Sequence, residues 1–113
     1  MCMWIRRKVQ SGAQTGQKIG YPTLNFHVGN FNRPSGVYAC EVLIINKLYK
    51  GALYFGPRLN HRGNVLEVHV IGFKQKIYGQ LVRFRVGKKI RSAKRFDNLD
   101  ELKKQIRFDV SCV

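Results

Sequence analysis

The chain has 113 residues, enough for one modest hydrophobic core but not for two independent ones, so we expect a single domain over residues 1–113. Hydrophobic residues make up 44% and aromatic residues 12%, which excludes an intrinsically disordered chain. Lys and Arg number 21 against 6 Asp and Glu, and the net charge of +15 indicates an anionic partner: a nucleotide, a nucleic acid or an anionic lipid.

A glycine-rich segment is the first predicted element. Gly12, Gly16 and Gly20 precede the turn sequence Pro-Thr-Leu-Asn at residues 22–25. Glycines cost conformational entropy on folding and leave backbone N–H groups accessible, so this spacing indicates that the backbone comes close to a ligand such as a phosphate. The segment is not a Walker A motif, because Gly-Lys-Ser/Thr is absent.

A series of short strands follows. Apolar runs bounded by turn residues predict strands at residues 37–45, 48–55, 65–71 and 81–86. A two-residue link at Asn46-Lys47 predicts a hairpin between the first two of these strands. The last run alternates cleanly, and its expected inward residues are Val82, Phe84 and Val86. This pattern favours a β-barrel or a β-sandwich.

The C-terminal segment changes to a helical period. Its apolar residues Leu99, Leu102, Ile106 and Val110 recur at helical spacing, and Asn98 is placed to cap the first turn. We therefore expect one amphipathic helix that packs on the β-structure.

The cysteines and the hydropathy pattern indicate where the protein functions. Cys2, Cys40 and Cys112 are odd in number and far apart, which predicts neither a disulfide framework nor a zinc site and favours a reducing compartment. No apolar run approaches the roughly 20 residues that a membrane span needs. We expect a monomeric, cytoplasmic protein without a membrane partner.

Thr23 and Asn25 are candidate metal ligands. In an extended segment, side chains two residues apart point to the same side, so the hydroxyl and the amide oxygen can reach one hard cation. Both ligands are neutral, and Mg²⁺ bound there would need negative charge from substrate phosphates. The alternative is that both side chains only satisfy the backbone of a local turn.

Glu67 is the candidate general base. It is one of only two acidic residues in the first 96 positions, the other being Glu41. It shares one face of a predicted strand with His69, and a carboxylate on a rigid strand can accept a hydroxyl proton during phosphoryl transfer. The alternatives are a surface carboxylate paired with a nearby cation and, for His69, a structural role.

Several motifs occur in order from about Val9 to Val110. They are Gly12-x-x-x-Gly16-x-x-Ile19-Gly20-Tyr21-Pro22-Thr23-Leu24-Asn25, Gly36-Val37-Tyr38-Ala39, Tyr49-x-Gly51, Leu66-Glu67-Val68-His69, Ile77-Tyr78-Gly79, Ile90-Arg91 and Phe96-Asp97-x-Leu99-x-x-Leu102-x-x-Gln105-Ile106-x-x-Asp109. In this order the chain resembles the riboflavin kinase (flavokinase) family and the kinase module of bifunctional bacterial FAD synthetases.

The resemblance implies an all-β fold, a small closed antiparallel Greek-key β-barrel with a C-terminal α-helix. It also implies transfer of the γ-phosphate of ATP to the 5′-hydroxyl of riboflavin, with FMN as product and Mg²⁺ as the metal. Thr23 and Asn25 would bind Mg²⁺, Glu67 would be the base, and Arg91 would lie on the flavin side. The loop over the ATP phosphates would contain Gly12, Gly16, Lys18 and Gly20. The adenylyltransferase module is absent from this sequence, so we expect no FAD synthesis.

Some positions differ from the family pattern. Gln17 replaces a usual Arg, residues 54–60 read Tyr-Phe-Gly-Pro-Arg-Leu-Asn in place of Asn-Ile-Gly-x-Arg-Pro-Thr, and Ala93 replaces a common acidic residue. A second hypothesis is therefore a catalytically weak or inactive flavin- or nucleotide-binding barrel, or a basic RNA-associated barrel. Tyr49, Tyr54 and Phe55 would supply stacking rings to RNA, although we expect them to pack in the core. Nucleic acid is an expected partner only under this second hypothesis.

Overall fold

Six strands and one helix make up the part of the chain that the computed structural model describes, which is residues 3–11, 20–58, 62–94, 96 and 98–113. The elements are β1 (Trp4–Gln10), β2 (Leu24–Phe26), β3 (Gly36–Ile44), β4 (Lys47–Pro57), β5 (Asn64–Val70), β6 (Leu81–Ser92) and α1 (Leu99–Ser111). The four predicted strands correspond to β3–β6. Neither β1 nor β2 was predicted, because consecutive basic residues hide the alternation of β1 and β2 has only 3 residues.

The strands form a closed antiparallel barrel in the order β1-β2-β5-β4-β3-β6. The hairpin-connected strands β3, β4 and β5 are adjacent, and β6 returns to pair with β3, which is a Greek-key connection. The predicted all-β Greek-key barrel with a C-terminal helix is therefore confirmed. Closure pairs each of the six described strands on both sides, so within this part of the chain the barrel has no exposed sheet edge.

The core is the interior of the barrel, filled by alternate residues of each strand. Phe84, Leu53, Val42 and Val68 are completely buried there. The predicted inward set on β6 is confirmed, since Val82 and Val86 are also buried while Arg83 and Arg85, which alternate with them, face outward.

The hairpin between β3 and β4 turns one residue earlier than predicted. Ile44 pairs with Lys47, so the loop residues are Ile45 and Asn46 rather than Asn46 and Lys47. Both have positive φ angles, 45° and 64°, as a tight hairpin with right-handed strand twist requires. The prediction was wrong because it did not expect a β-branched residue at a positive φ, a conformation that Asn tolerates but Ile adopts at a cost.

Helix α1 begins as the sequence predicts. The side chain of Asn98 accepts a hydrogen bond of 2.9 Å from the backbone N–H of Glu101. The helix is attached to the barrel by a buried ion pair between its Asp109 and Arg91 of β6. No helix among the described residues is long and apolar enough to cross a membrane.

Two of the three cysteines lie in the described part of the chain. Cys40 is buried in the barrel and Cys112 is exposed at the end of α1, and both are free thiols. The expectation that the chain has no disulfide framework agrees with these two residues.

Candidate active site

Asn25 and Glu67 lie directly opposite each other on neighbouring strands. The register of β2 against β5 aligns their Cα atoms. Leu24 and Phe26 are buried in the core, so the side chain of Asn25 between them points to the outer surface. Directly opposed residues on one face of an antiparallel pair have Cβ atoms about 4.5–5.5 Å apart. The predicted metal ligand and the predicted base are therefore neighbours.

The same row of outward-facing residues continues around the barrel. Glu67 is opposite Tyr54 of β4, Tyr54 is opposite Val37 of β3, and Val37 is opposite Arg91 of β6. In the other direction, Asn25 is opposite Gln10, the last residue of β1 before the glycine-rich segment. The barrel thus brings Asn25, Glu67 and Arg91 to one level, although they are far apart in sequence.

Glu67 is buried although it belongs to the outer face of β5. Its Oε1 accepts a hydrogen bond in an ion pair with the guanidinium of Arg58, which follows β4 directly. That guanidinium also lies over the ring of Tyr54, 4.3 Å from the ring centroid. The alternative prediction for Glu67 was a surface carboxylate paired with a cation. The ion pair is confirmed, but the surface position is wrong because Glu67 is buried.

The pKa shifts around Glu67 reflect desolvation. Burial lowers the pKa of the Arg58 guanidinium from 12.5, an effect that repulsion from Arg91 reinforces and attraction to Tyr54 opposes. Burial also raises the pKa of the Tyr54 hydroxyl above 10.0, and the positive charges of Arg58 and Arg91 partly offset this rise. Near neutral pH, Arg58 is charged and Tyr54 is neutral. A carboxylate that pairs with Arg58 in this partly buried environment interacts with it more strongly than it would in water.

His69 fixes the turn that carries Thr23. Its Nδ1 lies 2.8 Å from the backbone carbonyl oxygen of Pro22, and a carbonyl can only accept, so Nδ1 carries the proton and donates. The ring of His69 also packs edge-on against Tyr21, with centroids 5.3 Å apart. The predicted structural role of His69 therefore corresponds to specific contacts that hold residues 21–23 against β5.

Arg91 lies in β6, and its guanidinium contacts α1 through two hydrogen bonds. Its Nε and Nη2 each donate a 2.9 Å hydrogen bond to the carboxylate of Asp109, which in turn accepts one of 3.0 Å from Gln105. The side chains of Arg91 and Asp109 are 18% and 3% exposed. Arg91 is thus held rigidly at the level of Glu67 by the helix.

Two cavities meet at Thr23. The larger, of about 300 Å³, is lined by the described end of the glycine-rich segment at Gly20 and by Lys74 and Lys76 of the connection between β5 and β6. The smaller, of about 50 Å³, is lined by Glu67, Arg58 and Arg91 and by side chains of α1. Thr23 lines both. A group bound in the larger cavity and a group bound in the smaller one would therefore approach each other beside Thr23 and Glu67.

Three predicted site residues lie outside the described residues: Gly12, Gly16 and Lys18. Gly20 has a φ of +90°, a conformation that side-chain-bearing residues rarely adopt, and its place in a phosphate-binding loop stays a prediction. Sequence reasoning missed Arg58, although the Arg in the family stretch at residues 54–60 was a usable signal. It also misplaced Tyr54, which was expected in the core and instead lies half-buried on the outer face, whereas Phe55 is buried as expected.

The residues at this site suit a cation whose bound substrate supplies further negative charge. No cluster of three or more acidic, histidine or cysteine side chains suited to a metal ion occurs within the described residues. Thr23 and Asn25 offer two neutral oxygens beside the single carboxylate of Glu67. Such a donor set suits Mg²⁺ bound to nucleotide phosphates, which supply the remaining ligands and charge.

Comparison with known proteins identifies the family. The family model described as riboflavin kinase (flavokinase) matches residues 2–113, and the chain belongs to this family. An RNA-binding riboflavin kinase of Bacillus subtilis is 33% identical over 112 residues, which are 96% of this chain and 49% of that protein. A bifunctional riboflavin kinase/FMN adenylyltransferase of Haemophilus influenzae is 38% identical over 107 residues, 91% of this chain and 35% of that protein. The chain therefore spans about half or a third of the length of these relatives.

Solved structures share the fold. A Streptococcus pneumoniae chain described as a macrolide-efflux protein superposes with a TM-score of 0.85 at 30% identity, over 97% of this chain and 38% of that one. A riboflavin kinase from Trypanosoma brucei superposes with a TM-score of 0.63 at 22% identity, over 96% of this chain and 74% of that one. The second likeness concerns the barrel fold alone.

Proposed function

We propose that this chain is an ATP-dependent riboflavin kinase that transfers the γ-phosphate of ATP to the 5′-hydroxyl of riboflavin and forms FMN. Family membership supports the reaction class. The observation that carries the proposal for these residues is the direct cross-strand pairing of Asn25 with Glu67. The two cavities that share Thr23 give this pair one space for each substrate.

Glu67 would act as the general base. Arg58 contacts Oε1, and no described residue donates a hydrogen bond to Oε2, so one carboxylate oxygen is available to a hydroxyl group. As the 5′-oxygen attacks the γ-phosphorus, its proton passes to Glu67, the new O–P bond forms, and the bond to the β-phosphate oxygen breaks to release ADP. A positioned base of this kind contributes a factor of about 10²–10⁴ to the rate.

Thr23 and Asn25 would hold Mg²⁺ through their side-chain oxygens. The ion, when bound, supplies positive charge that offsets the charge of the nucleotide phosphates. His69 would keep Thr23 in place by binding the carbonyl of the preceding Pro22. A Thr23→Val variant keeps the side-chain shape and removes the oxygen, so we expect a higher Mg²⁺ concentration for half-maximal activity.

The larger cavity would take the nucleotide. Lys74 and Lys76 at its wall favour phosphate groups, and Gly20 places the end of the glycine-rich segment at its rim. Gly12, Gly16 and Lys18 would belong to the same phosphate-binding loop. The smaller cavity would take the reacting end of riboflavin, with Arg91 at its wall.

The direct test is to incubate the protein with riboflavin, ATP and Mg²⁺ and to separate riboflavin from FMN by chromatography. Omission of ATP, or chelation of the metal, is expected to abolish FMN formation. Riboflavin binding without FMN formation under any divalent metal would instead support the catalytically inactive flavin-binding barrel.

A further inference from the structure

A second charged surface lies away from the proposed active site, on the outer face of β1 and the first half of β6. It consists of two aligned rows of side chains, and we call it the basic face: Trp4, Arg6 and Lys8 on β1, and Leu81, Arg83 and Arg85 on β6. These residues point outward, because Val82 and Phe84 between those of β6 are buried in the core.

Arg6 and Arg83 form an unfavourable pair on this face. They are direct cross-strand partners, and like charges directly opposite each other destabilise a sheet. Neither has an ion-pair partner within the described part of the chain. The nearest acidic residue on the neighbouring strand, Glu41 of β3, is paired with Arg85 instead. This pair therefore does not stabilise the barrel, whereas an anionic ligand bound across the two rows would offset the repulsion between the two guanidinium groups.

Trp4 adds an aromatic platform beside these charges. Its side chain is 39% exposed, and the guanidinium of Arg85 lies 4.8 Å from the centre of its ring. An indole next to an arginine suits base stacking reinforced by a cation–π contact. Insertion into a membrane would require Arg85 to lose its hydration together with the ring, so the pair favours a nucleic acid over a lipid surface.

The basic face is separate from the two cavities. None of its six residues lines either cavity, and the residue of β6 that does line one, Arg91, lies near the other end of that strand. Occupation of the basic face therefore leaves both cavities open. A ligand there would be an additional partner and not a substrate of the kinase site.

We propose that the basic face binds single-stranded nucleic acid. Arg6, Lys8 and Arg83 contact backbone phosphates, and Trp4 with Arg85 stacks on a base. Single strands expose their bases, which duplexes do not, so the aromatic contact selects for single-stranded segments. This inference does not depend on the proposed kinase activity.

The test is fluorescence anisotropy of a labelled single-stranded RNA 12-mer titrated with the full chain between 50 and 200 mM salt. Each phosphate contact on a single strand contributes about −0.7 to the slope of log K against log salt, so the three phosphate-binding cations give a slope of about −2. The double variant Arg6→Gln/Arg83→Gln is expected to reduce that slope by about 1.4. Trp4→Ala is expected to weaken binding roughly 5- to 150-fold with little change in slope.

A matched control distinguishes binding at the basic face from attraction by the net charge of the protein. Lys103 and Lys104 are exposed on α1, and their double Gln variant removes the same charge elsewhere. Equal loss of affinity in both double variants overturns the proposal. So does absence of binding at 50 mM salt, equal competition by duplex RNA, or binding to phosphatidylserine vesicles with no binding to RNA. Parallel titration with single-stranded DNA shows whether the sugar contributes, and binding of either strand supports the proposal.

Folding of the variants is checked by thermal unfolding. Because Arg6→Gln/Arg83→Gln removes a repulsion, it is expected to melt at or above the temperature of the wild type. Weaker RNA binding by a variant of unchanged or higher melting temperature supports the proposal. A double variant that melts lower would show that the barrel needs the two arginines and would contradict the argument from repulsion.

Discussion

The ion pair between Arg91 and Asp109 gives the sharpest prediction of stability. Replacement of Asp109 by Asn keeps the size and the helix propensity of the side chain but removes its charge. Arg91, which is only 18% exposed, would then keep a positive charge without its partner and lose the two 2.9 Å charge-assisted hydrogen bonds. The cost comes from the cation that is left behind and not from the lost contact alone.

The expected magnitude follows from burial. Removal of one partner of a buried pair costs about 3–5 kcal/mol, and the partial exposure of Arg91 favours the lower end, about 3 kcal/mol. A domain of this size has an unfolding entropy of roughly 0.24 kcal/mol per kelvin, so Asp109→Asn should lower the Tm by about 13 °C. Because the pair attaches α1 to β6, we also expect the helix to detach more readily than in the wild type.

The assay is thermal unfolding followed by circular dichroism, with Glu41→Gln as the matched control. The Glu41–Arg85 pair has the same chemistry, but each side chain is 36% exposed. Pairs that are this accessible contribute about 0–1 kcal/mol, so the control should lose no more than about 4 °C. If Asp109→Asn loses no more than Glu41→Gln, the ion pair does not hold the helix and the reasoning is refuted.

Two further predictions concern the barrel. Burial, and secondarily repulsion from Glu41, raises the pKa of the Cys40 thiol from 9.0 to about 12. The neutral thiol's contribution to the free energy of unfolding is therefore complete below pH 9 and is lost as the pH rises from 9 to 12. Cys40→Ala should make the fall of the unfolding free energy above pH 9 shallower by up to about 1.4 kcal/mol per pH unit, and an unchanged slope in urea titrations would contradict this. A Cβ on Gly36 would lie 2.5 Å from the backbone carbonyl oxygen of Arg91, so Gly36→Ala should cost about 2–3 kcal/mol. Gly87→Ala, with a 3.1 Å approach, should cost less, and equal Tm losses would rule out this steric account.

The sequence predicts the barrel well where alternation is clean. Val82, Phe84 and Val86 alternate with polar residues, and the structure buries all three. In β1 the run Arg6-Arg7-Lys8 obscures the pattern, because Arg7 occupies an inward-facing position between two outward basic residues and donates a hydrogen bond to Asn30. Local hydrophobicity cannot reveal a strand whose place is fixed by its pairing with β6.

The site was predictable only in part for a similar reason. Glu67 and Asn25 could be found from residue type and spacing, but their opposition depends on the register of β2 against β5, which a three-residue strand does not specify locally. Arg58 reaches Glu67 because β4 ends beside β5, and although the family stretch points to this Arg, hydrophobic patterning does not specify its contact with Glu67. Long-range pairing, not local composition, assembles the site.

The central claim is that Glu67 accepts the proton of a riboflavin hydroxyl during phosphoryl transfer. The most direct measurement is the single-turnover rate of FMN formation from riboflavin and Mg–ATP for the wild type, for Glu67→Gln and for Glu41→Gln. We predict that the wild type forms FMN, that Glu67→Gln is slower by about 10²–10⁴-fold, and that Glu41→Gln is unchanged. A Glu67→Gln variant as fast as the wild type, or a wild type that forms no FMN, would contradict the account.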